Sequence, residues 1–277
     1  MSDWLIVLLK SASMFLVILA GWAVRRTGLW TPATTSTISR LVVEAAFPAL
    51  VLTQMVRTVD AQMLRENWFV PLLGGGVLLL GGLVALPLAR FVPEPRRRRT
   101  FVFLAAISNW IYLPLPIVEG LYGDPGVTAV LLCNVGAQVV LWSAGVQTLQ
   151  PGGGVGPSLR NLILNRGMVA TATGIALALL FPGLRGAAEG PVASNAGAAW
   201  RAVFEALGLV GGLTVPLSLL VTGAQLGDMP LRDLRPTPAL WGVLGTRLLL
   251  VPAIAVAIVS AAGALGLTLP LVPRRVA

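Results

Sequence analysis

Between Thr100 and Tyr122 the chain is hydrophobic for long enough to cross a bilayer as a helix rising about 1.5 Å per residue, and two prolines fall just past its middle. Pro114 has no N–H for the carbonyl of Trp110, and Pro116 has none for that of Tyr112. Leu113 and Leu115, each preceding a proline, are turned away from helical backbone. The run is therefore expected to form two half-helices. Free carbonyls would lie on one side of the break, and the unpartnered N–H groups of Ile117, Val118 and Glu119 on the other. Such groups are costly in lipid, so the break should be buried in protein or line a wet cavity. With Ser108, Asn109 and Tyr112 at its centre, this is the pattern of a transporter binding site built on a broken helix.

The rest of the chain suits that setting. It is 56% hydrophobic and 11% charged, with a mean hydropathy of +0.84, whereas soluble domains carry about 25% charged residues. The net charge of +9 is spread over loops, as in a membrane protein, and points to no nucleic acid. The run Arg96 to Arg99 reads as a loop facing anionic headgroups, so membrane lipid is an expected partner. There is no His, and Cys133 is the only cysteine. No metal-ligand cluster or Ser/Asp catalytic constellation is recognisable, so neither a metal, a cofactor nor an enzymatic reaction is expected.

Eight spans are expected: 4–24, 36–55, 68–88, the broken span 100–122, 127–147, 168–181, 204–223 and 239–265. Asp3, Lys10 and the lack of a small-residue cleavage site mark span 1 as retained rather than as a signal peptide. Lys10 reads as snorkelling to the nearer surface. Gly74, Gly75, Gly76, Gly81 and Gly82 of span 3 read as helix-packing positions. Gly123-Asp124-Pro125-Gly126 reads as the turn between spans 4 and 5. The Gly/Pro-rich linker at 151–160 divides a first set, 1–150 with spans 1–5, from a second, 161–277 with spans 6–8.

Loop charge sets the orientation. With the N-terminus outside, the inner loops hold ten arginines (Arg25, Arg26, Arg90, Arg96 to Arg99, Arg160, Arg232, Arg235) and the outer loops six (Arg57, Arg65, Arg185, Arg201, Arg274, Arg275). There is also a weak internal repeat. Ala46-Phe47-Pro48-Ala49-Leu50 in span 2 is similar to Thr214-Val215-Pro216-Leu217-Ser218 in span 7. The two spans are an odd number apart, so they cross in opposite senses, as in an inverted-topology repeat. By that repeat Pro273-Arg274-Arg275 would open a ninth span, which makes a fragment the expected reading. A second copy of the chain, as a homodimer, is the other way of completing the site.

The ordered set Ile38-Ser39-Arg40-Leu41-Val42-Val43 leading to Pro48, Ser108-Asn109 before Pro116, Leu121-Tyr122-Gly123, Asn134 followed by Leu141-Trp142, and Val215-Pro216-Leu217 leading to Gly223-Ala224-Gln225-Leu226 resembles the auxin efflux carrier family of bacterial permeases and plant hormone exporters. The resemblance covers nearly the whole chain. It implies an all-α integral membrane fold of five plus five spans in inverted repeat, with spans 4 and 9 broken and crossing at the substrate site. It also implies organic-anion substrates and a multi-pass protein of the bacterial inner membrane. The chain departs from the family at Pro114, where Gly is usual, at Glu44, where a neutral polar residue is usual, and in lacking spans 9 and 10.

The expected function is secondary transport of a small organic anion, such as a carboxylate, by alternating access around crossed half-helices. The alternative is a truncated, non-transporting membrane protein or anion-binding module. Asn109, Tyr112, Pro114, Pro116, Ile117, Asn134 and Gln138 are the candidate substrate-site residues. Asn134 and Gln138, four apart, share one helix face. The competing reading is that these amides only tie off free backbone or join helices. Glu44 and Glu119 are candidates for coupling to H⁺ or Na⁺. Against that, Glu44 would pair with a donor from a neighbouring span, and Glu119 would cap the second half-helix. Arg247 would attract an anion if it faced the cavity.

Overall fold

The structure is a computed structural model that describes residues 3–92, 94–107, 110–145, 160, 163–189, 195–229 and 237–264. Among these there are helices and no strands. Six helices are long and apolar enough to cross a membrane: Asp3–Arg26, Pro32–Thr58, Ala61–Phe91, Pro114–Gly145, Gly197–Asp228 and Pro238–Ala257, with a shorter apolar helix at Arg166–Leu180. Many large apolar side chains on them are exposed, Trp4, Leu8, Phe15 and Leu16 of span 1 among them. A helix apolar all round and bare on most sides is solvated by lipid.

The described chain falls into two compact units, each drawing on both sides of residue 150. The first comprises 1–65, 109–135 and 160–235, and so holds spans 1, 2, 6 and 7 with the end of span 4 and the start of span 5. The second comprises 66–108, 136–159 and 236–277. Of the linker expected at 151–160, residues 151–159 lie outside the described residues.

In the first unit, span 1 packs on Thr214–Asp228 through glycines. A Cβ at Gly21 would run into the backbone of Leu220, and one at Gly223 into that of Ile18. Helices associate in lipid by van der Waals contact and not by a hydrophobic drive, so such close backbone approach is the main attraction available. The pair is closed at one end by Arg25 and Asp228, 2.5 Å apart.

Span 2 is bent by its proline. A π turn occupies Val42–Ala46, with the Phe47 N–H donating to the Val42 carbonyl, and Pro48 then lies in the first turn of Phe47–Thr58. Proline is tolerated there because the N–H groups of a first turn have no intrahelical partner. Span 7, expected as one helix over 204–223, has a one-residue joint: Asn195–Gly212 and Thr214–Asp228 meet at Leu213, whose backbone stays right-handed helical. The joint lies where Pro216 leaves the Gly212 carbonyl without its donor.

In the second unit, Ala85, Ala89 and Val92 from the end of span 3 form a core with Phe101, Val102 and Ala105 of Pro95–Ala106 and with Val243 of span 8. Gly81 lies against the backbone of Ala105 and Ala106, and Gly75 against that of Gly136, while Gly76 has no such neighbour. Span 8 carries a π turn at Thr246–Leu250 immediately before Val251 and Pro252.

The turn expected at Gly123 to Gly126 shrinks to one residue. Helical structure runs from Pro114 to Val140, interrupted only where Gly123 takes φ 62° and ψ −153°. An L side chain rarely adopts that φ. Pro125 fits because it falls in the first turn after the interruption.

Candidate substrate site around the broken helix

The first half of span 4, Pro95–Ala106, ends as Ile107 turns extended. The second half begins at Pro114. Ser108 and Asn109 lie outside the described residues; the segment from Trp110 to Leu113 is not helical. The passage from the second unit to the first falls between Ser108 and Asn109.

The new half-helix differs from the expectation in its first turn. Because Pro114 is itself the first helical residue, Leu115 is helical despite preceding Pro116. The N–H groups of Ile117, Val118 and Glu119 then stand at helical spacing from the carbonyls of Leu113, Pro114 and Leu115. Leu115 donates to the Ile111 carbonyl at 2.8 Å. The two prolines thus sit in the first turn, where proline is tolerated, and the row of three free donors does not form. Glu119 is exposed and in the second turn, too far along to cap this end.

Side chains from neighbouring helices hold the break. The Trp110 indole N–H donates to Oδ1 of Asn134 at 3.0 Å, and Asn134 is 1% exposed. Tyr112 is half-buried and meets Phe47 edge-on, with ring centroids 6.1 Å apart. The bend of span 2 and the break of span 4 therefore touch through two aromatic rings. Lys10 lays its stem on Gly120, where a Cβ would stand 3.1 Å from Cε. Gln138, one turn beyond Asn134, is half-buried, as is Arg247 in the π turn of span 8.

Below the kink at Gly123 the first unit buries a polar cluster. Gln54 Nε2 donates to the Asp124 carbonyl at 3.2 Å and to Thr128 Oγ1 at 3.3 Å. The hydroxyls of Thr58 and Thr128 are 2.5 Å apart. This cluster ties the end of span 2 to the start of span 5. Nothing in the sequence marks its members as partners, since the partners across the two spans lie 70 or more positions apart.

Glu44 is engaged by span 6. Its Oε2 lies 2.7 Å from Nη1 of Arg166, and its Oε1 lies 3.6 Å from Nε of Arg40. The expected pairing with a neighbouring span's donor is thus present, and its carboxylate is not set apart in a cavity.

An all-α chain with six membrane-length helices, one of them entered through a break flanked by polar side chains, is an integral membrane protein of the transporter class. The chain belongs to the membrane transport protein family, whose family model matches residues 6–168; this is the auxin efflux carrier family of the resemblance. It is also 25% identical over 247 residues to an uncharacterized transporter of Methanothermobacter thermautotrophicus, an alignment covering 89% of this chain and 76% of that one.

Proposed function

We propose that this membrane transport protein is a secondary carrier of a small organic anion, and that it works by alternating access around the break in span 4. The observation that supports this most is the Trp110–Asn134 hydrogen bond at the break, which fixes a non-helical, polar stretch of a membrane helix against span 5. Non-helical backbone at membrane depth persists only where protein or water satisfies it. In this reading Asn109, Asn134 and Tyr112 orient the substrate, with Gln138 one turn further along. The positive end of the Pro114 half-helix attracts the carboxylate through its dipole and not through a row of free N–H groups.

The inverted repeat belongs to the same reading. Pro48 and Pro216 each open a helical segment just after a bend or break, which suits equivalent positions in two repeats. We place the N-terminus outside and the protein in a bacterial inner membrane, on the surplus of arginine in the loops that then lie inside. Glu44, already held by Arg166 and Arg40, has no part in coupling here; membrane potential, H⁺ or Na⁺ drives the anion.

The test is uptake of a panel of labelled mono- and dicarboxylates into proteoliposomes, with potential, pH and Na⁺ gradients imposed in turn. Saturable uptake of one of them, reduced in Asn134→Ala, is the expected result. Binding of a carboxylate with no uptake under any gradient would instead support an anion-binding module.

A further inference from the structure

We propose that one end of the second unit, bearing Arg90, Arg97, Arg98 and Arg99 beside Phe91 and Trp241, is a docking surface for the headgroups of anionic phospholipids. The core of that unit packs together the segments that carry these side chains. Arg90 and Phe91 lie between Ala89 and Val92, Arg97 to Arg99 precede Phe101 with Thr100 between, and Trp241 lies between Ala239 and Val243. All five flanking residues belong to that core or pack on it.

The four arginines are exposed. So are the two aromatic residues, Phe91 at 84% and Trp241 at 64%. Glu94 is the one carboxylate between 89 and 99, and it is paired with Arg97 at 2.7 Å. The Nε of Arg98 donates to the Val92 carbonyl at 2.6 Å, which fixes the side chain while leaving its terminal nitrogens to other acceptors. A guanidinium so held matches a phosphate in shape and charge. Aromatic rings at the ends of membrane helices settle at the headgroup level.

Several arginines of the first unit are paired with carboxylates. There Arg25 is paired with Asp228, Arg40 and Arg166 share Glu44, and Arg201 is paired with Glu205. Four exposed arginines and one carboxylate give the end of the second unit an excess of positive charge, and anionic lipid is the partner that complements both the charge and the flanking aromatics.

The experiment uses the purified full chain in a neutral detergent and follows its melting temperature on titration with phosphatidylglycerol, phosphatidylcholine or inorganic phosphate. Phosphatidylglycerol should stabilise at lower mole fraction than phosphatidylcholine, and the difference should shrink in high salt. Each arginine removed in R90Q, R99Q and R90Q/R99Q should weaken the phosphatidylglycerol effect about fivefold, and R25Q should retain it. The proposal is overturned if both lipids act alike, if the double variant keeps the preference, if inorganic phosphate alone reproduces it, or if R25Q abolishes it. The salt series on the unaltered chain decides the matter even if a variant fails to fold.

Discussion

Arg166 meets Glu44 twice: its Nη1 lies 2.7 Å from the carboxylate and donates at 3.5 Å to the carbonyl of the same residue. That carbonyl lost its helical donor to Pro48. One arginine from the start of span 6 therefore caps both the bend of span 2 and the acidic side chain beside it. The melting temperature should fall further in Arg166→Ala than in Glu44→Gln, because the second variant keeps the bond to the carbonyl. Glu44→Gln should also retain uptake. A Glu44→Gln protein that melts like the parent but no longer transports would make Glu44 a proton carrier after all.

The Trp110–Asn134 bond is the second point at which the structure can be tested. Asn134→Ala leaves a buried indole N–H without its acceptor, and Trp110→Phe leaves the amide oxygen without its donor. Each should cost about 1–3 kcal/mol. The double variant should cost less than the sum by about 1 kcal/mol, the worth of the bond itself. Thermal or denaturant unfolding of the four proteins checks this, and strictly additive losses would mean that the two side chains do not act as a pair.

Much of this architecture is legible in the hydropathy alone, because each span must be apolar over its whole length. The break at Pro114 is legible too, since a proline names the carbonyl it deprives. The exact start of the half-helix is not, because proline is as acceptable in a first turn as outside the helix. Counting from after Pro116, instead of from Pro114, produced three free N–H groups that the structure lacks. Nor could Glu44 be assigned a partner: Arg166 is 122 positions away in sequence, and only the packing of span 6 on span 2 joins them. Asn134 was legible as a polar residue facing its neighbours, but Trp110 carried no mark beyond standing beside Asn109.

The glycine contacts give a prediction with an internal control. Gly223→Ala would place a methyl group in the backbone of Ile18, and overpacking of this kind costs about 1–3 kcal/mol. Gly208 has nothing within 4 Å of where its Cβ would stand. Gly208→Ala should therefore be neutral or stabilising by up to about 1 kcal/mol through helix propensity. Melting of the two variants in detergent separates these outcomes. Equal effects would mean that span 1 does not need the close approach to Thr214–Asp228. The spacing Gly223-x-x-x-Gly227 is that of a close-packing motif.

The last prediction concerns the break itself. Leu115 already donates to Ile111, so one helical bond reaches back across Tyr112 to Pro114. Replacing Pro114 and Pro116 with Ala supplies the two missing donors for the carbonyls of Trp110 and Tyr112, and the half-helix should extend by about one turn. Two bonds at about 1 kcal/mol each favour that extension, so the variant should melt no lower than the parent. The gain comes at the expense of the site. Trp110 would be drawn into a helix and away from Asn134, and the polar stretch would be shortened from its C-terminal side. Uptake should fall about tenfold or more, equivalent to about 1.4 kcal/mol on the transport step, with Pro116→Ala alone giving part of the effect. Slowed amide exchange at residues 112 to 116 would report the added turn independently of transport. Extension of the helix with uptake unchanged would show that the anion does not pass by this break.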